Sequence, residues 1–258
     1  MREYFKACII LLKDKLRFLY HPEIYKRNRN ILLNRVAFYK KFISGDDLVF
    51  DVGANFGNRV EPLLEVGAKI VAVEPQPLCL NYLKLKYGSR IKVENVAIGK
   101  CPGKLPLFIN DKSTTISSMS TTWMSKVKTG RFSNSSWSRQ IIVNVETLDI
   151  LIGKYGVPKF IKIDVEGFEL EVLMGLTTAP KIISFEYTIP EFYENTIKCV
   201  EALWSLNPNF KFNYSSGESN EFKLDSWIDY SKFREIVINN PDSLQGFGDI
   251  YASSLFSE

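Results

Sequence analysis

Apolar positions along the chain follow two rhythms. Short continuous runs at Leu48–Asp51, Lys69–Val73, Ile91–Ala97, Phe160–Asp164 and Ile182–Tyr187 read as buried strands. Segments with helical spacing separate them. Arg59–Val66 is closed by Gly67, and Leu78–Tyr87 is stopped by Gly88. Thr147–Tyr155, Glu166–Leu176 and Pro190–Leu206 complete the set. Strand and helix in alternation predict a parallel sheet with right-handed crossovers. Phe210–Tyr214 and Asp249–Ser253 are expected to close the sheet, with Ser226–Asn239 partly helical between them.

The rhythm changes at two places. Before the first strand lie two helical patterns, Met1–Tyr20 and about Glu23–Ile43, broken at His21-Pro22. In the first, the only uninterrupted apolar run is Ala7–Leu12, far short of a membrane span, and no small-residue cleavage site follows. It is expected to be an amphipathic helix packed on the domain. A sharper reading places it on a membrane face or in a self-association interface, with Lys6, Lys13, Lys15 and Arg17 outward. The second change is an insertion of about 104–145. Lys104–Ile109 and Gln140–Val145 read as an antiparallel arm around Asp111–Arg139, a Ser/Thr-rich stretch holding Trp123, Phe132 and Trp137. Loops of that length inside a domain are uncommon and often bind ligands, so it is expected to face substrate. The organisation is therefore a helical extension, 1–45, before a Rossmann-like domain, 46–258.

Composition narrows the chemistry. A chain of 258 residues, 45% hydrophobic with net charge +4, neither demands nor excludes nucleic acid. Cys8, Cys79, Cys101 and Cys199 are scattered and form no C-x-x-C pair, which points to reduced thiols and a cytoplasmic location. His21 is the single histidine, so a His-rich metal site or a His-based triad is excluded unless that residue serves.

Leu48–Asn58, LVFDVGANFGN, is a strand running through a Gly-rich turn into a helical pattern, the form of a nucleotide cradle. A dinucleotide turn needs G-x-G-x-x-G, and here the middle glycine is missing. Asp51 at the strand end would repel a pyrophosphate. It suits a cation such as the sulfonium and amino group of S-adenosylmethionine. Gly53, Ala54, Asn55, Gly57 and Asn58 form the turn beside it, and D-x-G-x-N-x-G resembles the first motif of class I methyltransferases. Glu74, followed by Pro75, ends the second strand, where a carboxylate accepts hydrogen bonds from ribose hydroxyls. Asn95, Val96 and Ala97 would flank the adenine.

A second string, Lys159–Gly175, KFIKIDVEGFELEVLMG, carries the reactive groups. Lys162 falls in a central strand, where a lysine must be paired or shift its pKa, and Glu186 on the next strand is its expected partner. Asp164 and Glu166 sit where the strand opens into the crevice. With His21 remote, they are the best general bases for a hydroxyl acceptor, Asp164 before Glu166. They could also hold Mg²⁺ through oxygen ligands, although nothing in the spacing requires a metal.

VFDVGANFGN, VAVEP, NVAIG, TLDIL and KIDVEGFELEVLMG together resemble the FkbM-type S-adenosylmethionine-dependent methyltransferases. The resemblance covers about Asp47 to Tyr187. It implies an α/β fold with a seven-stranded, mostly parallel class I methyltransferase sheet covered by helices on both faces. Asp51, Gly53, Asn55, Gly57 and Glu74 then take cofactor roles, and Asp164 and Glu166 face the acceptor. The family commonly O-methylates hydroxyls of sugars or natural products, so a glycan or small-molecule acceptor is the first expectation, with Trp123 and Trp137 stacking on sugar faces. An RNA methyltransferase is the rival, with Lys126, Lys128, Arg131 and Arg139 as a phosphate track. A nucleotide-binding protein without catalysis is third. Asn207-Pro208-Asn209-Phe210 and Cys101-Pro102 only resemble methyltransferase motifs and read as turns.

Overall fold

Most of the β-branched and aromatic runs that predict strands join one seven-stranded sheet. The computed structural model describes residues 1–110, 112–240 and 244–256. In chain order the large sheet takes β1 (Leu48–Val52), β2 (Lys69–Val73), β3 (Lys92–Glu94), β7 (Phe160–Ile163), β8 (Ile182–Ile189), β9 (Lys211–Ser216) and β10 (Gly246–Ser253). Their spatial order is β3-β2-β1-β7-β8-β10-β9, with β10 antiparallel to both its neighbours. The chain runs outward from β1 to β3, then returns to lay β7 on the other side of β1. That reversal opens a crevice at the carboxyl ends of β1 and β7, where ligands of open α/β sheets bind.

Central strands are apolar on both faces because helices cover both. Phe50, Ile161, Ile163 and Ile183 pack on one side, and Val49, Ile70, Phe160 and Ile182 on the other. Helices α3 (Val60–Val66), α4 (Pro77–Tyr87), α6 (Leu148–Tyr155), α7 (Glu169–Leu173), α8 (Tyr193–Leu206) and α9 (Tyr230–Asn239) complete the layers. At the N-terminus, α1 (Arg2–Tyr20) lies along α4, and Tyr82 donates a hydrogen bond to Asp14 at 2.9 Å. In α2 (Pro22–Tyr39) and just after it, Phe38, Tyr39, Phe42 and Ile43 enter the core beneath β1 and β7.

Three expectations change. The run Ile91–Ala97 does not form one strand. β3 ends at Glu94, and Ala97–Ile98 becomes β4 of a separate three-stranded sheet, where it lies beside β6 (Arg139–Glu146), which in turn pairs with β5 (Gly103–Ile109). The helix expected over Glu166–Leu176 begins only at Glu169, because Glu166 and Gly167 both have positive φ, 55° and 88°. The antiparallel arm is present as β5 (Gly103–Ile109) with β6 (Arg139–Glu146), but the segment between is not a plain loop. Its expected first residue, Asp111, lies outside the described residues. The segment contains a 3₁₀ turn at Thr114–Ile116 and α5 (Thr121–Lys128), whose N-cap Ser120 accepts from the Trp123 amide. Among the described residues, no helix is long and apolar enough to cross a membrane.

Candidate active site

The crevice holds a cavity of about 470 Å³. Asp51, Gly53, Ala54, Asn55 and Asn58 line one wall, with Glu74 and Pro75 at the end of β2 and Val96 and Ala97 beyond. Asp164, Glu166 and Glu186 line the opposite wall. The insertion supplies the rest, through Ser113–Ser117, Met119, Trp123 and Phe132. Asn95 is exposed and lies outside this lining, as does Gly57, which packs against Leu83 and Tyr87.

The turn after β1 is held by protein rather than left open for a ligand. Gly53 and Ala54 amides both donate to the Val73 carbonyl, at 3.0 and 3.1 Å. Gly53 has φ +85°, and a Cβ there would fall 1.8 Å from the Asp164 carbonyl oxygen. This glycine therefore lets the carboxyl ends of the neighbouring strands β1 and β7 pack backbone against backbone. Glu74 is buried and accepts from the Asn55 amide on one oxygen and the Gln76 amide on the other, both at 2.7 Å. Burial pushes its pKa up to about 7 against those hydrogen bonds.

Asp51 is 2% exposed, and its Oδ2 has no hydrogen-bond partner. Burial raises its pKa to about 6, although Lys162 pulls the other way. A buried carboxylate oxygen left without a donor, at the edge of a cavity, fits the cationic groups of S-adenosylmethionine. Arg59, which the sequence reading missed, also lines this wall. Glu218 bridges it to α2, 2.8 Å from Arg59 and 2.9 Å from Arg35. Adjacency to Gly57-Asn58 was the available signal for Arg59; Glu218 has none, because it arrives from far along the chain.

Lys162 is 1% exposed, as its place in a central strand demands, but its partners differ from expectation. Its Nζ lies 2.6 Å from Asp249 Oδ1 and 3.1 Å from Asp164 Oδ2. Glu186 is not within ion-pair distance of it. Instead Asp249 on β10 stands directly opposite Glu186 in the β8 register. Burial would lower the lysine's pKa; Asp164 and Asp249 outweigh it and hold the charge.

Glu186 joins Asp164 and Glu166 instead. Carboxylate oxygens of the three lie within 4.8 Å of one another. Enclosure in the cavity pushes Glu166 and Glu186 well above the usual carboxylate range, and repulsion from Asp164 adds to it. The loop that carries Glu166 is tightly built. Ser118 donates to the Glu166 carbonyl at 2.6 Å, and the buried Glu169 accepts from the Val165 and Gly167 amides at 3.2 and 3.0 Å. Trp123 covers Gly167 so closely that a Cβ there would lie 2.2 Å from the indole. Trp123, 1% exposed, packs with Phe132 and Trp137 and also lines the cavity; Trp137 donates to the Ile116 carbonyl at 2.6 Å.

A second cavity, about 560 Å³, lies between α1 and the domain and meets the first at Gln76 and Thr114.

A sheet reversal with a carboxylate at each of the first two strand ends, facing a carboxylate-lined wall, defines a class I S-adenosylmethionine-dependent methyltransferase. The methyltransferase FkbM domain matches residues 51–229, and the chain belongs to that family. Solved structures with a similar fold include methyltransferases. A precorrin-6y C5,15-methyltransferase from Geobacter metallireducens is 12% identical, with TM-score 0.40, over 84% of this chain and 86% of that one. A TehB-like S-adenosylmethionine-dependent methyltransferase from Corynebacterium glutamicum is 9% identical, with TM-score 0.41, over 91% and 98%. The 16S rRNA N2 G1207 methyltransferase of T. thermophilus, solved with AdoMet and guanosine, is 11% identical, with TM-score 0.40, over 86% and 41%. No curated protein matches the chain.

Proposed function

We propose that this methyltransferase acts on a hydroxyl of a sugar, glycolipid or related metabolite, and that its carboxylate cluster takes the hydroxyl proton. The observation that carries this reading is the group Asp164, Glu166 and Glu186, gathered within 4.8 Å on the wall facing the cofactor residues. Bound S-adenosylmethionine supplies the methyl group. Asp51 would hold its cationic end, Arg59 would take its carboxylate, and Glu74 keeps a free lone pair on each oxygen that ribose hydroxyls could use. Orienting the acceptor oxygen against the methyl contributes most of the acceleration, roughly 7–11 kcal/mol of barrier. Glu166 is the favoured base. It lines the cavity and burial raises its proton affinity, whereas Asp164 is engaged by the Lys162 ammonium 3.1 Å away. Glu166 and Glu186 stand close enough to titrate together.

The nucleic-acid reading is less well supported. Arg131 is paired with Glu191 and Arg139 with Glu3, which removes two of the four residues expected to follow phosphates. The cavity wall is acidic, which opposes a polyanion.

Glu166→Gln is expected to lower kcat about 10²–10⁴-fold while calorimetric S-adenosylmethionine affinity stays near wild type. Unchanged kcat would remove Glu166 from the base role. Activity toward hydroxyl acceptors is expected to survive EDTA; its abolition, restored by Mg²⁺, would make the same three carboxylates a metal site instead. Methyl transfer to RNA with no turnover of sugar acceptors would overturn the acceptor assignment.

A further inference from the structure

Helix α1 is apolar on two sides. Ala7, Ile10 and Leu11 turn toward the domain, where Asp14 meets Tyr82. On the other side Phe5, Ile9, Leu12 and Leu16 follow i, i+4, i+7, i+11 spacing and stay 59%, 52%, 58% and 41% exposed, with Ile9 also at the edge of the second cavity. A helix that needed only to pack on the domain would be polar there. The stripe is bordered by basic residues: Arg2, Lys13 and Arg17 are exposed along one edge and Lys15 along the other.

Charge separates the extension from the rest of the molecule. Residues 1–43 carry eleven Lys and Arg against three Asp and Glu, a net of +8, and the remainder carries twenty-two against twenty-six, a net of −4. Exposed Lys26, Arg27 and Arg29 on α2 extend the basic region, beside exposed Tyr25. A second copy laid on this stripe by a two-fold axis would oppose +8 to +8. An anionic bilayer complements both the charge and the apolar row.

We propose that α1 docks this protein on an anionic lipid surface, with Phe5, Ile9, Leu12 and Leu16 entering the headgroup boundary and the flanking Lys and Arg residues meeting lipid phosphates. The test is co-sedimentation of the full chain with vesicles of phosphatidylcholine alone or enriched in phosphatidylglycerol. Binding to the anionic vesicles is expected to be at least roughly tenfold tighter. It should weaken steeply with salt, as the screening length falls from about 8 Å at physiological salt to about 3 Å at 1 M. Ile9→Asp with Leu12→Asp should abolish binding while leaving the circular dichroism spectrum and S-adenosylmethionine affinity unchanged. Lys13→Glu with Arg17→Glu, which keeps the stripe, should remove the preference for anionic lipid. Equal binding of wild type to both vesicles, or none, overturns the proposal. So does a lipid-free dimer, seen by light scattering, that Ile9→Asp with Leu12→Asp dissociates, since a second copy would then cover the stripe.

Discussion

At Asp51, burial and an unpartnered oxygen act in the same direction, favouring the protonated acid until a cation arrives. A cationic ligand binds the ionised form, so S-adenosylmethionine affinity should rise as pH passes upward through about 6. Calorimetry at pH 5.5 and 7.5 checks this, and Asp51→Asn should flatten the dependence. The same substitution should weaken binding by about 1.5–3 kcal/mol, the worth of a hydrogen bond to a charged group. Stability of the ligand-free protein should move the other way. Asp51, Glu74 and Glu169 have folded-state pKa values raised to about 6, 7 and 7, so they bind protons more tightly when folded. Their contribution is fully present below about pH 4 and is lost as pH rises through 6 to 7. A thermal midpoint that rises rather than falls between pH 5.5 and 7.5 would contradict this. Asp51, Glu74, Asp164 and Glu166 were legible in the sequence because strand-end acids declare themselves by position. The burial of Lys162 was legible too. Its partner Asp249 was not, since it lies 87 residues on and depends on the register of a strand pair that no local pattern encodes.

Among the elements, the insertion departs most from a reading by pattern. Its polar composition implies a solvated loop, yet Trp123 and Val127, one turn apart on α5, join Ile116 and Phe192 in a small core of their own. That core rests on Gly167 and thereby on the loop carrying Glu166. Trp123→Ala should cost about 3–5 kcal/mol in urea unfolding, the usual range for a buried aromatic. It should also reduce kcat more than S-adenosylmethionine affinity, because the acceptor wall moves and the cofactor wall does not. Equal effects on both would mean that Trp123 only stabilises. The short helix after Asp164-Val165-Glu166-Gly167 has a related cause. Helical spacing alone extends it back to Glu166, but Glu169 uses its carboxylate to hold the preceding turn in left-handed geometry. Spacing reports which residues are apolar, and that turn is made by polar atoms.

For the whole molecule, alternating strands and helices were enough to predict a mostly parallel sheet and its crevice. They could not predict that the last strand in chain order occupies an interior position, between β8 and β9. Asp249→Ala should destabilise by about 3–5 kcal/mol by chemical denaturation, because it strips a buried lysine of its closest counter-charge. A loss under 1 kcal/mol would show that Asp164 suffices alone. The same arrangement bears on how the protein is made. While the ribosome has not yet released Gly246–Ser253, β9 lacks the strand it pairs with and Lys162 lacks the closer of its two anions. A nascent chain stopped before residue 246 should therefore remain protease-sensitive, and the native domain should form only once residues 246–253 have emerged.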